Sequence, residues 1–279
     1  MKKFTIIYHN DLDGHCSGAI AKQYLADNNP LAEFQLIEAS YSNVPDIVAI
    51  DSASIVFVLD YAFDDPNDFQ QLIDKVASVT WIDHHKSAIE KYNDLDTQLK
   101  GVRQVGVAAC ELTWQYFYAR TSELPSIVFY IGDMDVWKFS SEKTLALTTY
   151  LECFDTNPAN PGFAWAPYLN PKRPLKMSYI EYDAGNDILA YVETHNTKLA
   201  SNAYPAKWGP YNCIVCNCSH TGSAVFDSLK DLDVYDLMIT YNWNGQVWNV
   251  SLYSTKNDID LVNLLLYMME EDIKVLLDL

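Results

Sequence analysis

The chain has 279 residues, 49% of them hydrophobic, and a formal net charge of −18 from 37 acids against 19 lysines and arginines. That length suits one large domain or two modest ones, and the hydrophobic share excludes widespread disorder. The acid excess disfavours a long nucleic acid as partner, because such binders neutralise several phosphates with Lys and Arg. A small anionic ligand held through bound metal is still allowed, and read alone the charge means only solubility.

Residues 1–8 are basic and then apolar, too short for a signal segment, and read as a first strand. Strands are predicted over 4–9, 34–38, 54–60 and 79–82, with helices over 17–26, 66–76, 108–118 and 126–131. This alternation predicts an α/β fold with a doubly wound, mostly parallel sheet, whose ligands bind outside the carboxyl ends of the strands. Residues 141–205 read as a helical connector. Asn157-Pro158-Ala159-Asn160-Pro161-Gly162 and Asn170-Pro171 break its short helices, and a longer helix is expected over 187–201. Residues 206–279 read as a smaller α+β domain. In it, strands over 237–243 and 246–253 flank Asn244-Gly245, a two-residue hairpin turn with positive φ expected at both positions. A last helix is predicted over 260–277.

No apolar run approaches the roughly 20 residues that span a bilayer, so no membrane partner is expected. Six cysteines scattered without a secretory signal predict reduced thiols in a cytoplasmic protein. Cys213, Cys216 and Cys218, with His220 beyond, crowd more closely than the two separated ligand pairs of a closed zinc site. They read better as a buried strand in which cysteine serves as a small apolar residue.

The chemistry gathers after the strands. His9, Asp11, Asp13 and Gly14 follow the first, Asp60 ends the third, and Asp83, His84 and His85 follow the fourth. Each group alone has a plain structural reading: a turn for Asp11 to Gly14, a cap for Asp60, a satisfied or surface pair for the histidines. In a parallel sheet, however, all of them meet at one edge. Clustered carboxylates cannot all stay ionised without counter-charge, and divalent cations supply it. A mixed O/N donor set without thiolate suits Mn²⁺ or Mg²⁺, with Zn²⁺ also compatible.

Asp83-His84-His85 resembles the triplet that names the DHH phosphoesterase family. His9-Asn10-Asp11-Leu12-Asp13-Gly14 resembles its first motif, Val58-Leu59-Asp60 its second, and Gly132-Asp133-Met134-Asp135 its fourth. Residues 106–112 resemble the helix start that follows the triplet, and together these motifs cover about half the chain. The resemblance implies two metal ions, commonly manganese, one held by His9, Asp11 and Asp60. The other would be held by Asp13, Asp60, His84 and a fourth-motif acid; either Asp133 or Asp135 aligns, with Asp133 preferred. His85 would contact the scissile phosphate or protonate the leaving oxygen, and Asp83 would orient His84 or complete its shell. Ser17 and Lys86, near helix starts, and Arg173, in the one basic cluster, are the candidate substrate-binding residues.

Residues 211–260 resemble a reduced version of the family's second domain, with Tyr253 where relatives often carry arginine. The Gly-Gly-Gly-His loop expected after that strand is absent. The expected function is a two-metal-dependent phosphoesterase hydrolysing short nucleotides: oligo- or dinucleotides, linear or cyclic, or bisphosphorylated nucleosides. The alternative is a catalytically weak nucleotide-binding or sequestering protein. A homodimer is compatible with the sequence. Tryptophans such as Trp137, Trp165, Trp208, Trp243 and Trp248 are candidates to stack on a base.

Overall fold

Near-continuous apolar runs make three strands that are buried on both faces, and with a partly exposed edge strand they form an α/β fold around a four-stranded parallel sheet. The computed structural model describes residues 1–96, 99–118, 123–172, 175–219, 221–256, 258–261 and 264. In chain order the first elements are β1 (Lys3–His9), α1 (Leu12–Asn28), β2 (Glu33–Ala39), β3 (Ser54–Leu59), α2 (Pro66–Lys75) and β4 (Ser78–Ile82). The strand order is β2-β1-β3-β4, so every strand end that carries an acid or imidazole lies on one edge.

The period-2 alternation of β1 divides the core. Ile7 faces one side with Val58, Trp81, Phe69 and Leu72, while Ile6 and Tyr8 face the other with Leu59, Ala21, Leu25 and Leu112. Phe69, Trp81 and Tyr92 pack edge to face with centroids 5.1 to 5.7 Å apart. Such pairs contribute about 0.5–1.5 kcal/mol each beyond area burial. They form a rigid base under the triplet, because Trp81 Nε1 donates to Tyr61 O at 3.1 Å and to Asp83 Oδ2 at 3.2 Å.

After β4 come α3 (Lys86–Lys91), α4 (Asn93–Asp96), α5 (Ala109–Tyr118), α6 (Ser126–Asp135), α7 (Thr144–Glu152), α8 (Trp165–Tyr168) and α9 (Tyr179–Ala200). The helix expected over 187–201 is the second half of α9. Its earlier start has a local cause: Ser178 and Glu181 form a capping box, with Ser178 N donating to Glu181 Oε2 and Ile180 N donating to Ser178 Oγ. The chain divides into two compact units, Met1–Asn186 and Asp187–Leu279, with the boundary inside α9. Of the segment read as a connector, α7, α8 and the start of α9 belong to the first unit.

The second unit carries a separate sheet of β5 (Tyr204–Trp208), β6 (Tyr211–Asn217), β7 (Leu237–Trp243) and β8 (Trp248–Tyr253). Its β6–β7 pair is parallel and the others are antiparallel. Cys213 packs on one face of β6 and Cys216 on the other, which agrees with the buried-strand reading; His220 lies outside the described residues. The β7–β8 hairpin forms, but its connection is Asn244 to Val247, four residues instead of two. Gly245 has φ 100° whereas Asn244 does not take positive φ, and the Asn244 side chain accepts from the Gln246 and Val247 amides instead. Of the helix predicted over 260–277, only 260, 261 and 264 fall within the described residues. No helix among the described residues is long and apolar enough to cross a membrane.

Candidate metal centre

The centre begins where β1 runs into α1. Asp11 caps that helix, its Oδ1 accepting from Gly14 N at 2.8 Å, while its Oδ2 lies 2.6 Å from His9 Nδ1. Gly14 permits the turn: a Cβ there would sit 2.3 Å from His9 O. Asp13, one step into the helix, is buried. Its two oxygens accept from the Ala109 and Cys110 amides, both at 2.8 Å, so the start of α5 fixes this carboxylate. Residues 106–112 thus do serve as a helix start, and Asp13 is the group it holds.

Asp60 leaves β3 with φ 55°, which ends the strand at Leu59 rather than at residue 60. A non-glycine residue in that region is costly and marks a constrained site. The result is a carboxylate 1% exposed whose two oxygens have no hydrogen-bond partner. Asp83 is buried too, and its Oδ1 gathers the His84 amide at 2.7 Å, the His85 amide at 3.1 Å and His85 Nδ1 at 2.8 Å. It therefore orients the His85 ring, not the His84 ring as expected. His84 Nε2 faces Asp60 Oδ1 and Asp135 Oδ2 at 3.3 Å each and Asp13 Oδ2 at 3.8 Å.

Among the described residues, three groups could hold a metal ion: His9, Asp11 and Asp60; Asp13, His84 and Asp135; Asp60, His84 and His85. The donors fit divalent cations. Asp60 Oδ1 and Oδ2, Asp135 Oδ2 and His84 Nε2 are buried without hydrogen-bond partners, a costly state that a cation relieves. All the donors are oxygen or imidazole nitrogen, the set preferred by hard and borderline ions.

The electrostatics carry the same signature. Burial pushes Asp60 well above the ordinary carboxylate range, and the charges of Asp13, Asp11, Asp135 and Asp83 add to it. Burial, then Asp13 and Asp11, raises Asp135 to about 8. Burial and Asp11 raise Asp13 to about 6, against the opposing hydrogen bonds from Cys110 and Ala109. Burial and neighbouring His85 lower His84 to about 4, leaving the neutral imidazole that ligates metals. The hydrogen bond that His85 donates to Asp83 raises the His85 imidazole. At Asp11 burial is outweighed by the hydrogen bond and charge of His9, and the carboxyl falls to about 2.

Other candidates sit elsewhere. Asp133, the preferred fourth-motif acid, is turned away from the cluster. Its carboxylate accepts from Ser140 N at 3.0 Å, Ser140 Oγ at 2.6 Å, Ser141 N at 3.4 Å and Thr144 Oγ1. Asp135 takes the place at the centre. Ser17 lies inside α1, which starts at Leu12, and is fully buried, so it presents neither a helix start nor a reachable hydroxyl. Lys86 opens α3 and is exposed, 3.8 Å from Glu90 Oε1. Arg173 lies outside the described residues. Among the tryptophans, Trp165 is buried, whereas Trp137 is 78% exposed on the turn that follows α6.

His15 belongs to a separate polar network, with Nε2 2.6 Å from Glu38 Oε1 and Nδ1 2.8 Å from Thr156 Oγ1. Tyr41 borders the centre without any motif to announce it: its ring centroid is 6.0 Å from that of His9. A cavity of about 170 Å³ opens beside the cluster, lined by Asp11, Asp13, Asp135, Met134, Thr148 and Glu152 among others.

No family model matches the chain, and no curated protein matches it. Similar solved structures include an uncharacterized protein from Helicobacter pylori G27, at 14% identity and TM-score 0.40, covering 95% of this chain and 88% of that one. Exonuclease RecJ bound to manganese is similar at 14% identity and TM-score 0.45, over 86% of this chain and 76% of that one. RecJ in complex with Mn²⁺ from Thermus thermophilus is similar at 15% identity and TM-score 0.44, over 86% of this chain and 43% of that one.

Proposed function

We propose that the protein is a DHH-type, two-metal-dependent phosphoesterase that hydrolyses short nucleotides, with manganese as the preferred ion. The observation that carries this reading is the convergence of overlapping donor groups on Asp60, a buried carboxylate whose oxygens have no hydrogen-bond partner. His9, Asp11 and Asp60 would hold one ion, and Asp13, Asp60, His84 and Asp135 the other. Bound there, the ions supply charge neutralisation of the phosphate and activation of the attacking water.

The chain's own residues do the rest. The α5 amides lock Asp13, and β3 delivers Asp60 at a fixed φ, so the donors are placed before any ion arrives. Asp83 holds His85 through Nδ1, which leaves Nε2 as the proton donor to the leaving oxygen. The acid excess favours a small substrate over a long polynucleotide.

The test is a turnover panel in Mn²⁺: linear and cyclic dinucleotides, a 3′,5′-bisphosphorylated nucleoside, pyrophosphate and short RNA. Asp13→Asn and His85→Ala are each expected to lower turnover at least about 100-fold, the usual scale for losing an acid–base group or a metal-site carboxylate. Full activity in the Asp13 variant refutes the mechanism. Tight nucleotide binding without hydrolysis by the wild type identifies a sequestering protein instead.

A further inference from the structure

A phosphate site normally offers arginine or lysine to the oxygens that the metals leave free. Among the described residues, no lysine or arginine forms an ion pair with Asp11, Asp13, Asp60, Asp83 or Asp135. Three cations near the triplet are occupied: Lys86 stands 3.8 Å from Glu90, Lys91 donates to Asp64 O, and Arg103, bridged to Asp83 through the backbone, donates to Trp81 O at 3.0 Å. A cation turned inward would pair with the cluster's carboxylates and compete with the metal. A neutral donor avoids that competition.

Tyr41 is such a donor. In the β1–β2 register His9 is opposite Ala39, so Tyr41 lies two residues beyond the partner of a proposed ligand, on the same sheet edge. A tight turn fixes it: Ser40 and Asn43 exchange backbone hydrogen bonds at 3.1 Å, and Asn43 N also donates to Ser40 Oγ at 3.0 Å. The Tyr41 ring is 6.0 Å from the His9 ring and 6.1 Å from that of Tyr61. Yet the residue is 54% exposed, against 1% for Tyr61, and its hydroxyl has no hydrogen-bond partner among the described residues.

We propose that the Tyr41 phenol donates a hydrogen bond to a non-bridging oxygen of the substrate phosphate, filling the role that arginine or lysine plays in other phosphate sites. This assignment rests on the phosphoesterase reading above. It is tested with the full chain loaded with Mn²⁺, wild type against Tyr41→Phe, which keeps the ring and removes only the hydroxyl. Calorimetric titration with inorganic phosphate is expected to show binding at least about ten-fold weaker in the variant, the loss expected for a hydrogen bond to a charged group. Mn²⁺ affinity and melting temperature should stay unchanged, and kcat/KM for a linear dinucleotide should fall by a similar factor.

Equal phosphate affinity in the two proteins overturns the assignment, as does absence of phosphate binding by the wild type. If phosphate binding depends on the hydroxyl but no substrate of the panel is hydrolysed, the phosphoesterase reading fails while the Tyr41 contact stands.

Discussion

Removing the metal should make the protein lose stability as pH rises from 6.5 to 8, and Asp135 sets the size of the effect. A carboxyl whose folded pKa lies above its unfolded value contributes stability that is complete below about pH 4 and lost as pH rises through the folded pKa. For Asp135 that value is about 8. Asp13, at about 6, has mostly titrated by pH 6.5. His84 has the opposite sign: lowered to about 4, it adds stability as pH rises toward 6.5 and little above it. In the window from 6.5 to 8 Asp135 therefore acts together with Asp60 and His85, both raised and of the same sign. One and a half pH units at about 1.4 kcal/mol each give about 2 kcal/mol from Asp135 alone. For a protein of this size that corresponds to a fall in Tm of roughly 4–8 °C. The assay is thermal melting in EDTA at pH 6.5 and 8, repeated with Mn²⁺, on the wild type and Asp135→Asn. Mn²⁺ should flatten the dependence, and the neutral asparagine should make it shallower without metal by the roughly 2 kcal/mol that belongs to Asp135. Parallel pH slopes for the two metal-free proteins would refute the reasoning.

Two further substitutions separate structural acids and turns from the centre itself. Asp133→Ala should cost about 3 kcal/mol in urea unfolding, because the Ser140, Ser141 and Thr144 donors lose a buried acceptor. Mn²⁺ affinity measured at a temperature where the variant is folded should be unchanged, and a large loss would place Asp133 among the ligands after all. Gly14→Ala should destabilise by about 1–3 kcal/mol and weaken Mn²⁺ binding, since the added methyl meets His9 O at 2.3 Å. Wild-type melting and affinity would show that the β1–α1 turn yields freely.

The sheet and its acid-bearing edge were legible because β1, β3 and β4, buried on both faces, leave near-continuous apolar runs, each followed by a group that has no place in a core. The helix starts were less so. Asp11 caps α1 six residues before Ser17, a boundary that its N-cap residue type offered; the Ser178–Glu181 box likewise marked the start of α9. Asp133 and Asp135 could not be ranked from spacing. Two residues apart on a helix they point about 200° apart. One must face the sheet edge, but which one depends on how α6 packs. Tyr41 carries no motif at all. Its place follows from register, which no local pattern records.

The division of labour within the triplet also needs the structure, and it comes down to one oxygen. Successive side chains on an extended strand point to opposite faces, so continuation of β4 would send His84 and His85 apart. Asp83 Oδ1 prevents this by accepting from both following amides, which turns the chain at the strand end. The two imidazoles then lie with centroids 4.4 Å apart, but in different chemical states. His85 gives Nδ1 to the same Asp83 oxygen and keeps a raised pKa, as a proton donor requires. His84 is held only through its amide; its ring enters the buried cluster, where desolvation keeps it neutral and fit to bind a metal. A buried aspartate that contributes to none of the donor groups thus holds two identical neighbours in different environments, one imidazole hydrogen-bonded and raised, the other desolvated and lowered.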